Sequence, residues 1–431
     1  MASIRSRIIG WLGRKYLART RKKGFDLAKM AFVPKSALLP LKRNGLDPVD
    51  ELRRTREREP VSKVPLPFGV NVWLVTGYQE AKAVLADAGR FSNDFANLAG
   101  DFGFAEEQDP GGLGFTDPPE HTRLRRLLTP EFTIRRLSRL EPRIDAIVKG
   151  QLDEMAASGG PVDLVQTFAL PIPSLTICEL LGVPYEDRTE FQKLSTARFD
   201  LFGGAGASLG AITESLTYLV ELVRKQRESP GDGLLGMLVK EHGNDISDRE
   251  LAGLADGLLT GGLETTASML ALGGIVLLRD QDCFARIRDS EHAIEPFVEE
   301  LLRYLTVVQV AFPRFAKEDM EIGGARITKG DVLLVSLSGA NRDHALVNEA
   351  GTDLERFDPA RKVTQHLAFG YGMHRCVGAE LGRMELRIAY PALVRRFPKL
   401  RLAVPPEELA FRESSIVYGV QSVPVLLGDS R

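Results

Sequence analysis

From Glu120 to about residue 305, apolar positions recur at the i, i+3, i+4 spacing of amphipathic helices, and this pattern dominates the chain. Its clearest stretch begins at Ser247. Ser247 and Glu250 have capping-box spacing, in which each side chain satisfies the other's backbone N–H. Leu251, Leu254, Ala255, Leu258, Leu259, Gly262 and Leu263 then share one face, and the pattern runs to about Leu278. That is roughly 30 residues, or ~45 Å of α-helix. A helix this long must cross the body of the protein. Gly261 and Gly262 lie in its middle, where each costs about 1 kcal/mol relative to Ala. Two readings stay open. The absent side chains admit a large flat ligand or water, or they allow a tight helix crossing. Glu264 carries the same ambiguity, as a functional acid or a salt-bridged surface residue.

Elsewhere the period shortens. Residues 68–76 predict a hairpin with Gly69-Val70-Asn71 near its turn, and 78–88 a short helix. Residues 92–116 are irregular, Gly-rich and aromatic. Strand patterns return at 320–336, and Pro-rich turns with short strands close the chain. The expectation is a mostly α fold with minor β. No linker, repeat or low-complexity block divides residues 61–431, which read as one large domain behind a basic extension, 1–60. Residues 1–30 hold nine Lys/Arg and one acid, Asp26, with Ile4, Ile8, Trp11, Leu12 and Tyr16 near one helical face. Such a helix lies on an anionic membrane through residues 1–24, or packs its apolar stripe on the domain.

Composition narrows the setting. A net charge of −2 over 431 residues gives no global attraction to nucleic acid. The three cysteines, Cys178, Cys283 and Cys376, are odd in number and far apart, which argues for a reducing, cytoplasmic compartment rather than a disulfide framework. The uncharged run from Thr265 to Leu278 is too short for a bilayer, which needs about 20 residues.

The chemistry concentrates at Cys376, in Phe369-Gly370-Tyr371-Gly372-Met373-His374-Arg375-Cys376-Val377-Gly378. Two upstream glycines permit a tight turn that brings N–H groups toward the sulfur. Gly378 leaves room for a flat ligand against the backbone. His374 and Arg375 supply positive charge that a thiolate or a carboxylate could use. Leu381, Met384 and Leu386 follow at helical spacing, so the sulfur precedes a helix N-terminus, which favours an anion.

This segment resembles the haem-ligand loop of the cytochrome P-450 superfamily, in its soluble bacterial form. Gly261-Gly262-Leu263-Glu264-Thr265-Thr266, the Glu300/Arg303 pair and Asp117-Pro118-Pro119-Glu120-His121-Thr122-Arg123-Leu124-Arg125 resemble further family marks in the expected order. Together they span roughly residues 60–427. The resemblance implies a single-domain P-450 fold, mostly α with minor β. Its long central helix would lie over haem b (iron protoporphyrin IX), and another helix would follow the ligand loop. It implies a monooxygenase that uses O₂ to hydroxylate a substrate. Cys376 would be the axial thiolate, set by Phe369, Gly370 and Gly378. His121, Arg125, Arg314 and His374 would bind the haem carboxylates. Glu264 would relay protons, and Thr265 would order the groups that receive them. Glu300, Arg303 and Arg356 would form a structural network.

The resemblance also places Leu98, Phe102, Phe104, Leu258, Leu259, Gly261, Val307, Val308, Val310, Ile416 and Val417 around the substrate. None is charged, which suits a lipophilic molecule of moderate size. The lack of polar handles favours a fatty acid or other long-chain lipid; terpenoids, steroids and macrolides also fit. The run 202–207 stands where the family has a mobile lid. No flavin or Fe–S segment is visible, so electrons would come from NAD(P)H indirectly, through a separate ferredoxin and ferredoxin reductase. Arg123, Arg126, Arg135, Arg136 and Arg139 offer such a partner a basic docking face. Two other readings compete: a non-catalytic haem-thiolate ligand sensor, and a zinc site built from His366, His374 and Cys376.

Overall fold

The computed structural model describes residues 35–65, 71–94, 113–191, 209–347, 352–362 and 365–428. Seven helices organise it: α1 (Glu120–Leu128), α2 (Glu141–Ala157), α3 (Pro171–Leu181), α4 (Leu209–Glu228), α5 (Asp248–Arg279), α6 (Ile294–Leu305) and α7 (Ala379–Arg396). Helix α5 has 32 residues and starts with the expected capping box between Ser247 and Glu250. Its length and apolarity would suit a membrane span, but 83% of its most apolar window is buried within the fold, so it is a core helix. Helices α3, α4, α6 and α7 pack around it. At the α5–α7 crossing, a Cβ on Gly273 would overlap the Tyr390 hydroxyl, which donates to the Met269 carbonyl at 2.5 Å.

A five-stranded sheet flanks the helices, with β1 (Val61–Val64), β2 (Val72–Val75), β3 (Phe91–Ser92), β4 (Arg314–Ala316) and β5 (Val332–Val335) in the order β1-β2-β5-β4-β3. β1 and β2 are antiparallel with Val61 opposite Val75, whereas β2 and β5 run parallel with Val72 opposite Val332. The hairpin therefore begins upstream of the predicted 68–76. Val61-Ser62-Lys63-Val64 buries both valines and Ser62 together, so no alternation marks it. Met320–Ile322 and Ala325–Ile327 form the expected later strands, joined through Gly323 and Gly324 at φ +54° and +77°.

Residues 35–60 are tied to the body. Arg43 donates to Gln309 and to the Leu305 carbonyl, and Arg56 to the Gly339 carbonyl. The basic amphipathic stretch 1–24 lies outside the described residues.

Candidate functional site

The ligand loop is built on backbone that only glycine adopts easily. Gly370 and Gly372 have φ of +69° and +71°. A Cβ on Gly372 would also come within 2.5 Å of the Leu85 carbonyl oxygen, so this turn rests directly on the helix Tyr78–Ala86. The Cys376 N–H donates to the Phe369 carbonyl at 2.9 Å, closing the loop. Gly378 is the N-cap of α7, and a Cβ there would stand 4.0 Å from the Cys376 sulfur. Cys376 keeps accessible surface, unlike Cys178 and Cys283. Burial raises both of those thiols to about 12, which leaves them unreactive. Burial also raises Cys376, but the Gly378 N–H and the charges of Arg125, Arg375 and Arg383 work against it. A bound cation would complete what those groups begin.

Beside the loop lies a group of two histidines and two arginines, His121, His374, Arg125 and Arg314. His121 is 1% exposed, and neither ring nitrogen has a hydrogen-bond partner. Its ring centroid is 4.1 Å from that of His374. Burial, then the charges of His121 and Arg314, push His374 down to about 3. Burial pushes Arg314 down to about 10, and also lowers Arg125 and His121. Among the described residues no carboxylate pairs with any of the four. Asp117, whose charge reaches three of them, is held by the Ser92 hydroxyl, the Asn93 N–H and Lys317. A cleft of about 480 Å³ opens here, lined by His121, Thr122, Arg125, Arg126, Thr129 and Met373. Buried donors without an anion fit the carboxylates of a haem, and the soft sulfur of Cys376 fits its iron.

The two glycines of α5 divide the two sequence readings between them. A Cβ on Gly262 would press Ile177 of α3 at 3.1 Å, so that glycine serves a helix crossing. Gly261 faces open space, and its carbonyl accepts the exposed Thr265 hydroxyl at 2.6 Å. Glu264 is 4% exposed and pairs with Arg412 at 2.8 Å. Arg412 was missed in the sequence; its only mark is a basic residue within the largely apolar C-terminal segment.

Two of the segments named as lining lie side by side. Val308 bridges Val417, the Gln309 N–H donates to the Ile416 carbonyl, and the Tyr418 N–H to the Val307 carbonyl. Val308 and Ile416 keep partial exposure, whereas Val307 and Val417 turn inward. Leu259 packs in the core at 1% exposure, and Leu258 remains partly exposed. Leu98, Phe102, Phe104 and 202–207 lie outside the described residues.

Two consecutive acids of α6 anchor the loop's surroundings. Glu300 holds Arg303 through both oxygens, at 2.8 and 2.7 Å, and accepts the Asp358 N–H. Its second arginine is Arg361 at 3.3 Å, not Arg356. Leu354 is buried, Arg356 beyond it faces solvent, and only its carbonyl joins the network, accepting from Arg303. Glu299, also missed in the sequence, binds Arg383 on α7 and His366 ahead of the loop. Burial raises its carboxyl, but those two partners prevail and hold it at about 2. His366 is thus turned to Glu299, and no three His, Cys, Asp or Glu among the described residues group to hold a metal ion. The basic face is smaller than predicted. Arg123 pairs with Glu120 and Glu250, and Arg136 and Arg139 share Glu131. Arg126 and Arg135 are exposed without a carboxylate among the described residues.

Comparison with known proteins gives one answer. The family profile described as Cytochrome P450 matches residues 211–410. Cytochrome P450-SU2 of Streptomyces griseolus is 42% identical over 383 residues, covering 88% of this chain and 93% of that protein. Nocardicin C N-oxygenase of Nocardia uniformis subsp. tsuyamanensis is 40% identical over 382 residues, 86% of this chain and 93% of its own. Among solved structures, P450 StaH from glycopeptide antibiotic A47934 biosynthesis superposes with a TM-score of 0.80 at 41% identity, covering 90% of this chain and 99% of that one. Streptomyces peucetius CYP105P2, in complex with a biphenyl compound, gives 0.81 at 42%, covering 89% and 97%.

Proposed function

The chain belongs to the cytochrome P450 family and is one of its monooxygenases, and from that premise we propose that it oxygenates a lipophilic small molecule held against Val308 and the C-terminal hairpin. The haem of this family, when bound, supplies the activation of O₂. The chain's own residues do the rest. Cys376 would ligate the haem iron. His121, Arg125, Arg314 and His374 would hold its carboxylates. Thr265 presents a hydroxyl at the open face of α5, and Glu264 connects that face to polar groups behind it.

The observation that carries the substrate class is the uncharged strip formed where Val308 meets Ile416 and Val417. It offers area but no ionic handle. A fatty acid or other long-chain lipid suits it, and so does a terpenoid, steroid or macrolide. The similarity to nocardicin C N-oxygenase and to StaH of glycopeptide antibiotic biosynthesis supports a second reading, an antibiotic precursor. Titrating the ferric holoprotein with dodecanoic acid, a monoterpene, a steroid, a macrolide and a peptide antibiotic precursor separates them. The proposal expects a spin-state shift from at least one apolar compound. A shift from the peptide alone would overturn it.

Electrons come from NAD(P)H through a separate ferredoxin and its reductase in a bacterial cytoplasm. Exposed Arg126, Arg135 and Arg375 give an acidic carrier a landing surface.

A further inference from the structure

Glu264 sits at the centre of the longest helix, one residue before Thr265, with its carboxylate withdrawn from water. A buried carboxylate needs a partner, and Arg412 provides it from 148 positions away. One guanidinium nitrogen donates to Glu264 at 2.8 Å and another to the Ser268 hydroxyl, one helical turn on, at 2.6 Å. Arg412 is itself 5% exposed.

Arg412 stands at the base of a hairpin. Its N–H donates to the Gly419 carbonyl at 2.9 Å, and Phe411 bridges Val420. The loop between these contacts carries Ile416 and Val417, which meet Gln309 and Val308. Gly419 has no side chain because the guanidinium occupies that space; a Cβ there would overlap Arg412. The same hairpin thus touches the proposed substrate strip at its tip and the acid of α5 at its base.

We propose that Arg412 is a positioning residue that sets the orientation of Glu264 and couples it to the substrate-lining hairpin, with Gly419 as the space that admits it. This rests on the monooxygenase reading. When protons are misdirected, O₂ takes two electrons from NADPH and two protons and leaves as hydrogen peroxide, instead of delivering oxygen to the substrate.

The test has two arms. Thermal unfolding of the full-length holoprotein is compared for wild type, Glu264→Gln, Arg412→Gln and the double variant. Arg412→Gln should lose several degrees, and adding Glu264→Gln should recover part of the loss by removing the charge that Arg412 balances. Additive losses would overturn the pairing. Hydrogen peroxide released per NADPH oxidised is then measured with a surrogate ferredoxin and reductase, using the panel compound that shifts the spin state most. Glu264→Gln and Arg412→Gln should each raise it severalfold, the double variant no further, and Arg412→Lys should stay near wild type. A destabilised Arg412→Gln with an unchanged peroxide yield would make the tie merely structural and overturn the proposal. Should Arg412→Gln fail to fold, Gly419→Ala displaces the guanidinium while keeping both charges, and is judged by the same yield. Failure of the monooxygenase reading would instead show in the wild type, as absence of a thiolate-type carbon monoxide spectrum.

Discussion

Glu300 and Glu264 are both buried acids paired with arginine, yet they solve that problem in opposite ways. Glu300 finds Arg303 three residues along the same helix and adds Arg361 and the Asp358 N–H from one neighbouring segment. Glu264 pairs with an arginine from a distant hairpin, whose guanidinium fills the space a side chain at residue 419 would take. The first arrangement is local and over-determined, tying α6 to the segment from Leu354 to Arg361. The second spans two elements, α5 and the hairpin that carries Ile416 and Val417. Local redundancy thus lies at Glu300, and the long-range tie lies beside Thr265.

The largest expected effect breaks the local arrangement. Arg303→Leu removes the two-point partner of Glu300, leaving it only Arg361 and the Asp358 N–H, and takes the donor from the buried Asn341 and Leu354 carbonyls, at a cost of about 3–5 kcal/mol. Little folded holoprotein should be recovered, and a normal haem content with unchanged unfolding temperature would break the comparison. Next comes Glu299. Its carboxyl is held at about 2 against an ordinary 4.5. Its contribution is fully present above about pH 4.5 and fades as pH falls toward 2, on the order of 3 kcal/mol in all. Denaturant unfolding at pH 7 and pH 3 should therefore show Glu299→Gln less stable than wild type at pH 7, with the gap narrowing at pH 3. A gap that stays constant would remove the ionic account. Gly273→Ala should cost about 1–3 kcal/mol by forcing Tyr390 from the α5–α7 crossing, read as a lower denaturant midpoint. Thr265→Ala should change stability least, within ~0.5 kcal/mol. It should retain haem and divert reducing equivalents to hydrogen peroxide. An unaltered product yield per NADPH would show that the hydroxyl takes no part.

What the sequence made legible follows the same divide. The Cys376 loop, the Glu300/Arg303 pair and the capping box of α5 are short-range patterns whose chemistry is complete within a few residues. The parallel pairing of β2 with β5 joins Val72 to Val332, and the Glu264–Arg412 pair joins a helix to a hairpin. Neither leaves a local trace. Arg361 replaced Arg356 for a related reason. Leu354 is buried, Arg356 two residues on faces solvent, and Arg361, further along, is the one that reaches Glu300. The basic run after His121 was visible as charge, but the acids that neutralise Arg123, Arg136 and Arg139 include Glu250 and Glu241, over 100 residues on.

The central claim is that the sulfur of Cys376 ligates a haem iron. The absorption spectrum of the reduced protein with carbon monoxide, recorded for wild type and Cys376→Ser, tests it most directly. The account predicts a thiolate-type band in the wild type that disappears in the serine variant. Identical spectra from the two proteins would contradict it.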